Sequence, residues 1–181
     1  MPQTEPGDSP QTVTKMQTRS IGVKLLPRKV AYEHHPGHMG VTWKEEGERR
    51  FRGFRFDVLD LPEEVRKPEM WRSYLFDHTV RGVVVEDVNL EDATTRFPDK
   101  VLCKQWDATV ENTATLKART VPGEFGLYSF QPDKYVGAHN CVTWTISTVN
   151  GVLGPVLQEI PTGRIKLAVA VLQQIGARPA E

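Results

Sequence analysis

The chain has 181 residues, enough for one ordinary domain, with 23 basic residues balanced by 23 acidic ones. Nothing in these totals points to a nucleic-acid or membrane-surface partner. The two cysteines, Cys103 and Cys141, are too few for a disulfide framework and fit a reducing compartment, one optional bridge aside.

Residues 1–19 have no apolar core of a secretory signal and are rich in Pro, Gln, Thr and Ser, so they read as a disordered arm or linker. Residues 20–181 then form a single domain. No apolar run approaches the ~20 residues of a membrane span, since even Ile165 to Ile175 is broken by Lys166 and two glutamines. The chain is expected to be cytoplasmic as made.

Ile21 to Leu26 reads as a first strand, ended by Pro27. After a turn at Pro36-Gly37, Met39, Val41 and Trp43 point one way and His38, Gly40 and Thr42 the other, the period of a strand. The return strand runs from Arg49 to Asp57. A two-residue II′ turn at Gly47-Glu48 would pair Val41 with Phe54 and Met39 with Phe56. It would set His38 opposite Asp57, a histidine with a carboxylate across the ladder.

Leu61 to Met70 fits a short helix limited by Pro68, and Tyr74 to Val88 a strand pair bent near Gly82. A short helix fits Glu91 to Phe97, and a longer one Asp107 to Thr120 with Asp107 as N-cap. Phe125 to Phe130 is a strand or turn, and Gln131 to His139 a loop. In Cys141 to Leu153, Val142, Ile146, Val149 and Leu153 keep helical spacing, although Val142 to Thr148 also alternates like a strand. Asn140 as N-cap and Gly154-Pro155 as a stop favour the helix. Ile165 to Gln174 is a final helix, with Gly176 after it. The expected class is α+β, an antiparallel sheet packed against helices.

Gly137-Ala138-His139-Asn140-Cys141 places a thiol at a helix N-terminus, where unpaired N–H groups favour a thiolate. A thiol becomes a strong nucleophile when an imidazole takes its proton and a third group orients that imidazole. Cys141, His38 and Asp57 are the candidates. The plain alternative is a buried, structural Cys141 in a non-catalytic binding module. His34, His35 and His38 invite a metal reading, but adjacent histidines on an extended segment project oppositely, and no metal or cofactor is expected. His78 beside Asp77 reads as a surface feature, and Cys103 as a half-buried structural residue.

The segment Tyr135 to Trp144, with Asn140-Cys141 opening a helix, and the segment Gly37-His38-Met39-Gly40-Val41 resemble the nucleophile and histidine segments of circularly permuted papain-like hydrolases. These are the NlpC-type and lecithin:retinol acyltransferase-like families. The resemblance implies a permuted papain-like catalytic domain in which Cys141 attacks an amide or ester and His38 is the general base. Asp57 takes the third position, and Tyr135, His139 and Asn140 are candidates for oxyanion or substrate contacts. The implied function is a cysteine peptidase or amidase acting on a peptide, in peptidoglycan or protein, through an acyl-enzyme. An acyltransferase or thioesterase on the same scaffold is the alternative. The resemblance also implies a bacterial effector or toxin delivered by a dedicated secretion system, with an inhibitory immunity protein as partner.

Overall fold

A computed structural model describes residues 19–27 and 37–180. Eight strands form one sheet: β1 (Ser20–Leu26), β2 (His38–Glu45), β3 (Glu48–Phe56), β4 (Val80–Glu86), β5 (Leu102–Asp107), β6 (Gly123–Tyr128), β7 (Ala138–His139) and β8 (Arg178–Pro179). Their spatial order is β7-β6-β4-β3-β2-β1-β5-β8. Every pairing is antiparallel except β6 with β7, so the sheet is mixed and the class is α+β. Five α-helices lie among the described residues: α1 (Pro68–Asp77), α2 (Val88–Arg96), α3 (Val110–Arg119), α4 (Cys141–Leu153) and α5 (Ile165–Gln174). None of the described helices is long and apolar enough to cross a membrane. Of the expected arm, only Arg19 is described, and it pairs with Glu45 (3.1 Å).

The alternation in β2 sorts its side chains onto two faces, but both faces are buried from His38 to Trp43. Met39, Val41 and Trp43 enter the main core with Val142, Trp144 and Val149 of α4. Trp144 stacks on Phe54 of β3 (6.0 Å between ring centres, 17°). A smaller core joins Leu90 and Ala93 of α2 to Leu26, Phe51 and Val101. The end of β2 is tied to α3 through Glu45, which accepts from Thr113 Oγ1 (2.7 Å) and pairs with Lys117.

The β2–β3 register differs from the expected one. Glu45 pairs with Glu48 and Val41 with Arg52, so the turn is Glu46-Gly47, with φ of 54° and 82°. Both central residues are left-handed, the type I′ geometry, in which glycine stands second. The ladder is therefore displaced by two positions. A displacement of two keeps each side chain on its face, which is why the apolar pattern could not expose the error.

Pro68 begins a helix rather than limiting one, since a proline at the first helical position loses no intrahelical bond. The expected helix over Leu61 to Met70 is only a 3₁₀ turn at Glu63–Val65, and Tyr74 to Asp77 belong to α1. One strand, β4, follows rather than a bent pair. Gly82 in that strand makes room for Phe54, whose Cζ would lie 2.0 Å from a Cβ there. The helix expected from Asp107 starts at Val110 behind the N-cap Thr109, because Leu102–Asp107 is a strand bonded to β1. The Gln131 to His139 loop ends in β7.

Candidate active site

Cys141 is the first residue of α4, and Asn140 is its N-cap. The Asn140 Oδ1 accepts from the N–H groups of Val142 and Thr143, both at 3.0 Å, and the Thr143 hydroxyl accepts from the Asn140 N–H in return. Asn140 Nδ2 donates to the Gly163 carbonyl (2.8 Å), which ties the cap to the segment entering α5. These bonds occupy the second and third N–H groups of the helix. The N–H of Cys141 has no intrahelical carbonyl to meet, as for any first helical residue. Asn140 therefore acts on the helix start and is not itself aimed at a substrate.

His38 opens β2 and is 4% exposed. Its Nε2 meets Oδ2 of Asp87, a carboxylate 2% exposed, in a short buried contact. A hydrogen bond with Cys141 also acts on the ring. Burial opposes protonation of His38 and is the largest single influence on it. The charge and hydrogen bond of Asp87, and then the contact with Cys141, outweigh burial and push the imidazole up to about 9. Burial likewise opposes ionisation of Asp87, yet His38, Arg55 and the Leu90 N–H hold it below the usual carboxylate value.

The partner of His38 is Asp87, not Asp57. Asp57 caps a 3₁₀ turn through the Leu59 N–H (3.0 Å) and pairs with Arg81 (3.4 Å). The register explains this, because a ladder displaced by two takes Asp57 past the end of β2. Asp87 comes from the N-cap of α2, where its Oδ1 accepts from the Leu90 N–H (3.0 Å). The two oxygens thus serve a helix end and an imidazole. Room for this comes from Gly53 on β3. A Cβ there would lie 2.0 Å from Asp87 Oδ2 and 3.2 Å from His38 Nε2.

Cys141 is 6% exposed and, with His38, lines a cleft of about 590 Å³, open mouth included. Phe54, Phe56, Trp71, Tyr128 and Phe130 form its aromatic wall, and Arg55 and Arg72 also border it. Tyr128 is close enough to Cys141 for the sulfur's charge to bear on its phenol. Burial first, and that charge second, push the phenol well above its ordinary range, so it keeps its proton and can donate.

Tyr135 and His139 do not border the cleft. Tyr135 lies in the turn before β7, where its carbonyl accepts from the Ala138 N–H (3.3 Å). His139 shares a hydrogen bond with the Thr143 hydroxyl (3.0 Å) and packs edge-on to Phe54, and burial lowers its basicity. His34 and His35 lie outside the described residues. His78 bonds the Tyr74 carbonyl through Nδ1 (2.9 Å), away from Asp77.

Three members of this arrangement escaped the sequence reading. Asp87 carried a usable signal, an aspartate at a strand end followed by Leu90, Ala93 and Thr94 at helical spacing. Tyr128 and Arg55 carried none. A comparison of the chain with family models, curated proteins and solved structures finds no match.

Proposed function

We propose that this protein is a cysteine hydrolase that opens an amide bond, or a related carboxylic acyl bond, through an acyl-enzyme. The observation carrying this reading is one contact chain: Cys141 at a helix start, His38 against it, and a buried Asp87 behind His38. Burial alone would discharge a histidine and leave an aspartate protonated. Holding both charged is costly for a structural core, whereas it is what an acid–base pair beside a thiol requires.

In the proposed reaction the proton shared between Cys141 and His38 already rests on the imidazole, which Asp87 holds in its charged form, and the Cys141 sulfur attacks the carbonyl carbon. Negative charge develops on the carbonyl oxygen. The Cys141 N–H and the Tyr128 hydroxyl are the donors offered to it. The imidazolium, steadied by Asp87, then protonates the departing amine as the carbon–nitrogen bond breaks, leaving a thioester on Cys141. Water, giving its proton to His38, attacks the thioester, and the acid and free thiol are released. Asp87 replaces Asp57 as the orienting group in this scheme. The order of histidine strand, orienting carboxylate and nucleophile helix agrees with the permuted papain-like resemblance, which is part of the proposal.

A second reading, acyl transfer or thioester hydrolysis on the same scaffold, draws support from the aromatic wall. A site for a polar peptide would be expected to have a more polar lining than Phe54, Phe56, Trp71 and Phe130 provide. Both readings share the acyl-enzyme. A test is the reaction with p-nitrophenyl acetate, followed by mass spectrometry. The expected result is a rapid release of one p-nitrophenol per chain and an acetyl group on Cys141. Release at the same rate from Cys141→Ala would refute the proposal.

A further inference from the structure

We infer that the cleft beside Cys141 selects substrates whose acyl part joins an apolar or aromatic group to a negative charge, carboxylate or phosphate, received by Arg55 with Arg72 at the rim. This rests on the cysteine-nucleophile reading above and adds the substrate class.

The aromatic part follows from the wall. Phe56 meets Trp71 edge-on (5.0 Å, 80°) and Tyr128 at 5.4 Å, and Tyr128 meets Phe130 at 5.9 Å. Such a surface gains most by covering a flat or bulky apolar group. The charge follows from the arginines. Among the described residues neither Arg55 nor Arg72 forms an ion pair with a carboxylate, although both border the cleft. Arg55 is half-buried, and its field reaches both Asp87 and Tyr128. Asp87 acts on it through its charge but forms no ion pair with it, its two oxygens meeting His38 and the Leu90 N–H. The Asn89 amide, with its oxygen turned to the guanidinium, accepts at 2.6 and 3.1 Å and fixes the group without cancelling its charge. Arg72 lies over the Phe76 ring at 5.5 Å, exposed at the opening. A fixed, partly desolvated guanidinium that forms no ion pair among the described residues, beside a nucleophile, is a receptor for an anion that arrives with the substrate.

The test uses alkylation of Cys141, in which sulfur displaces iodide from an iodoacetyl carbon. Four probes are compared: iodoacetamide, neutral N-phenyl iodoacetamide, 4-(iodoacetamido)benzoate and 4-(iodoacetamido)phenyl phosphate. Modification is followed at the Cys141 peptide by mass spectrometry, so that Cys103 does not contribute. In the wild type the benzoate or the phosphate, whichever the site receives, reacts about tenfold or more faster than the neutral phenyl probe, the effect of one charge-assisted hydrogen bond. The faster of the two identifies the anion. The advantage disappears in Arg55→Gln, shrinks in Arg72→Gln and returns in part in Arg55→Lys. Equal rates for charged and neutral phenyl probes, or an advantage unchanged in the Arg55→Gln/Arg72→Gln double variant, would overturn the inference while leaving the nucleophile intact. Slow iodoacetamide reaction that His38→Ala does not alter would instead remove the nucleophile reading, and this inference with it.

Discussion

Gly53→Ala tests the site through a residue that touches no substrate. An added Cβ would stand 2.0 Å from Oδ2 of Asp87, where ordinary contact begins near 3.4 Å. The carboxylate must withdraw by more than 1 Å, and the short contact with His38 cannot survive that movement. Breaking a buried charge pair costs about 3–5 kcal/mol. If about 3 kcal/mol of this falls on holding the imidazolium, the thiol reaction slows by about a hundredfold. The assay is the second-order rate of Cys141 alkylation by iodoacetamide at pH 7, with circular dichroism confirming the fold. In an Asp87→Ala background, Gly53→Ala should add little, because the two changes act on one contact. A folded Gly53→Ala protein with wild-type reactivity would refute the argument that Asp87 supports His38.

Other predictions follow from the same contacts. Asp87→Asn should slow alkylation of Cys141 by about tenfold or more, whereas Asp57→Asn, which loses only a surface cap and an ion pair with Arg81, should leave the rate within about twofold. Because the His38 ring is raised from 6.5 to about 9 in the folded protein, its protonation stabilises the fold fully below pH 6.5, and this contribution is lost as pH rises through about 9. A shift of that size corresponds to about 3 kcal/mol, so thermal denaturation should show a fall in Tm across that window that His38→Gln lacks. Asn140→Ala removes the acceptor for two helix N–H groups and the donor to Gly163. It should cost about 1–2 kcal/mol in urea unfolding and slow alkylation of Cys141, while Tyr135→Phe should change neither.

Much of the site was legible in the sequence because two of its signals are local. Asn140 before Cys141, followed by Val142, Ile146 and Val149 at helical spacing, places a thiol at a helix start. Alternation from His38 to Trp43 places an imidazole at a strand start. Neither signal says that the two meet, since that depends on α4 packing across β2. The third residue failed for a definite reason. A Glu-Gly-Glu turn can hold its glycine first or second, and both choices leave Met39, Val41 and Phe54 facing the core. Burial cannot separate registers two positions apart, yet only one of them could bring Asp57 level with His38. The carboxylate that serves His38 comes instead from the end of β4, 49 positions away in the chain, through a glycine that leaves space. The strands at Leu102–Asp107 and Arg178–Pro179 were missed because both are short, the first only half-buried and the second exposed, with no alternating apolar pattern to mark them.

The central claim is that Cys141 and His38 act as one acid–base unit, and the pH dependence of Cys141 alkylation tests it most directly. The account predicts rapid modification near neutral pH, strongly slowed in His38→Ala and displaced along the pH axis in Asp87→Asn. A single rise near the ordinary thiol value of ~8.5, the same in all three proteins, would contradict it.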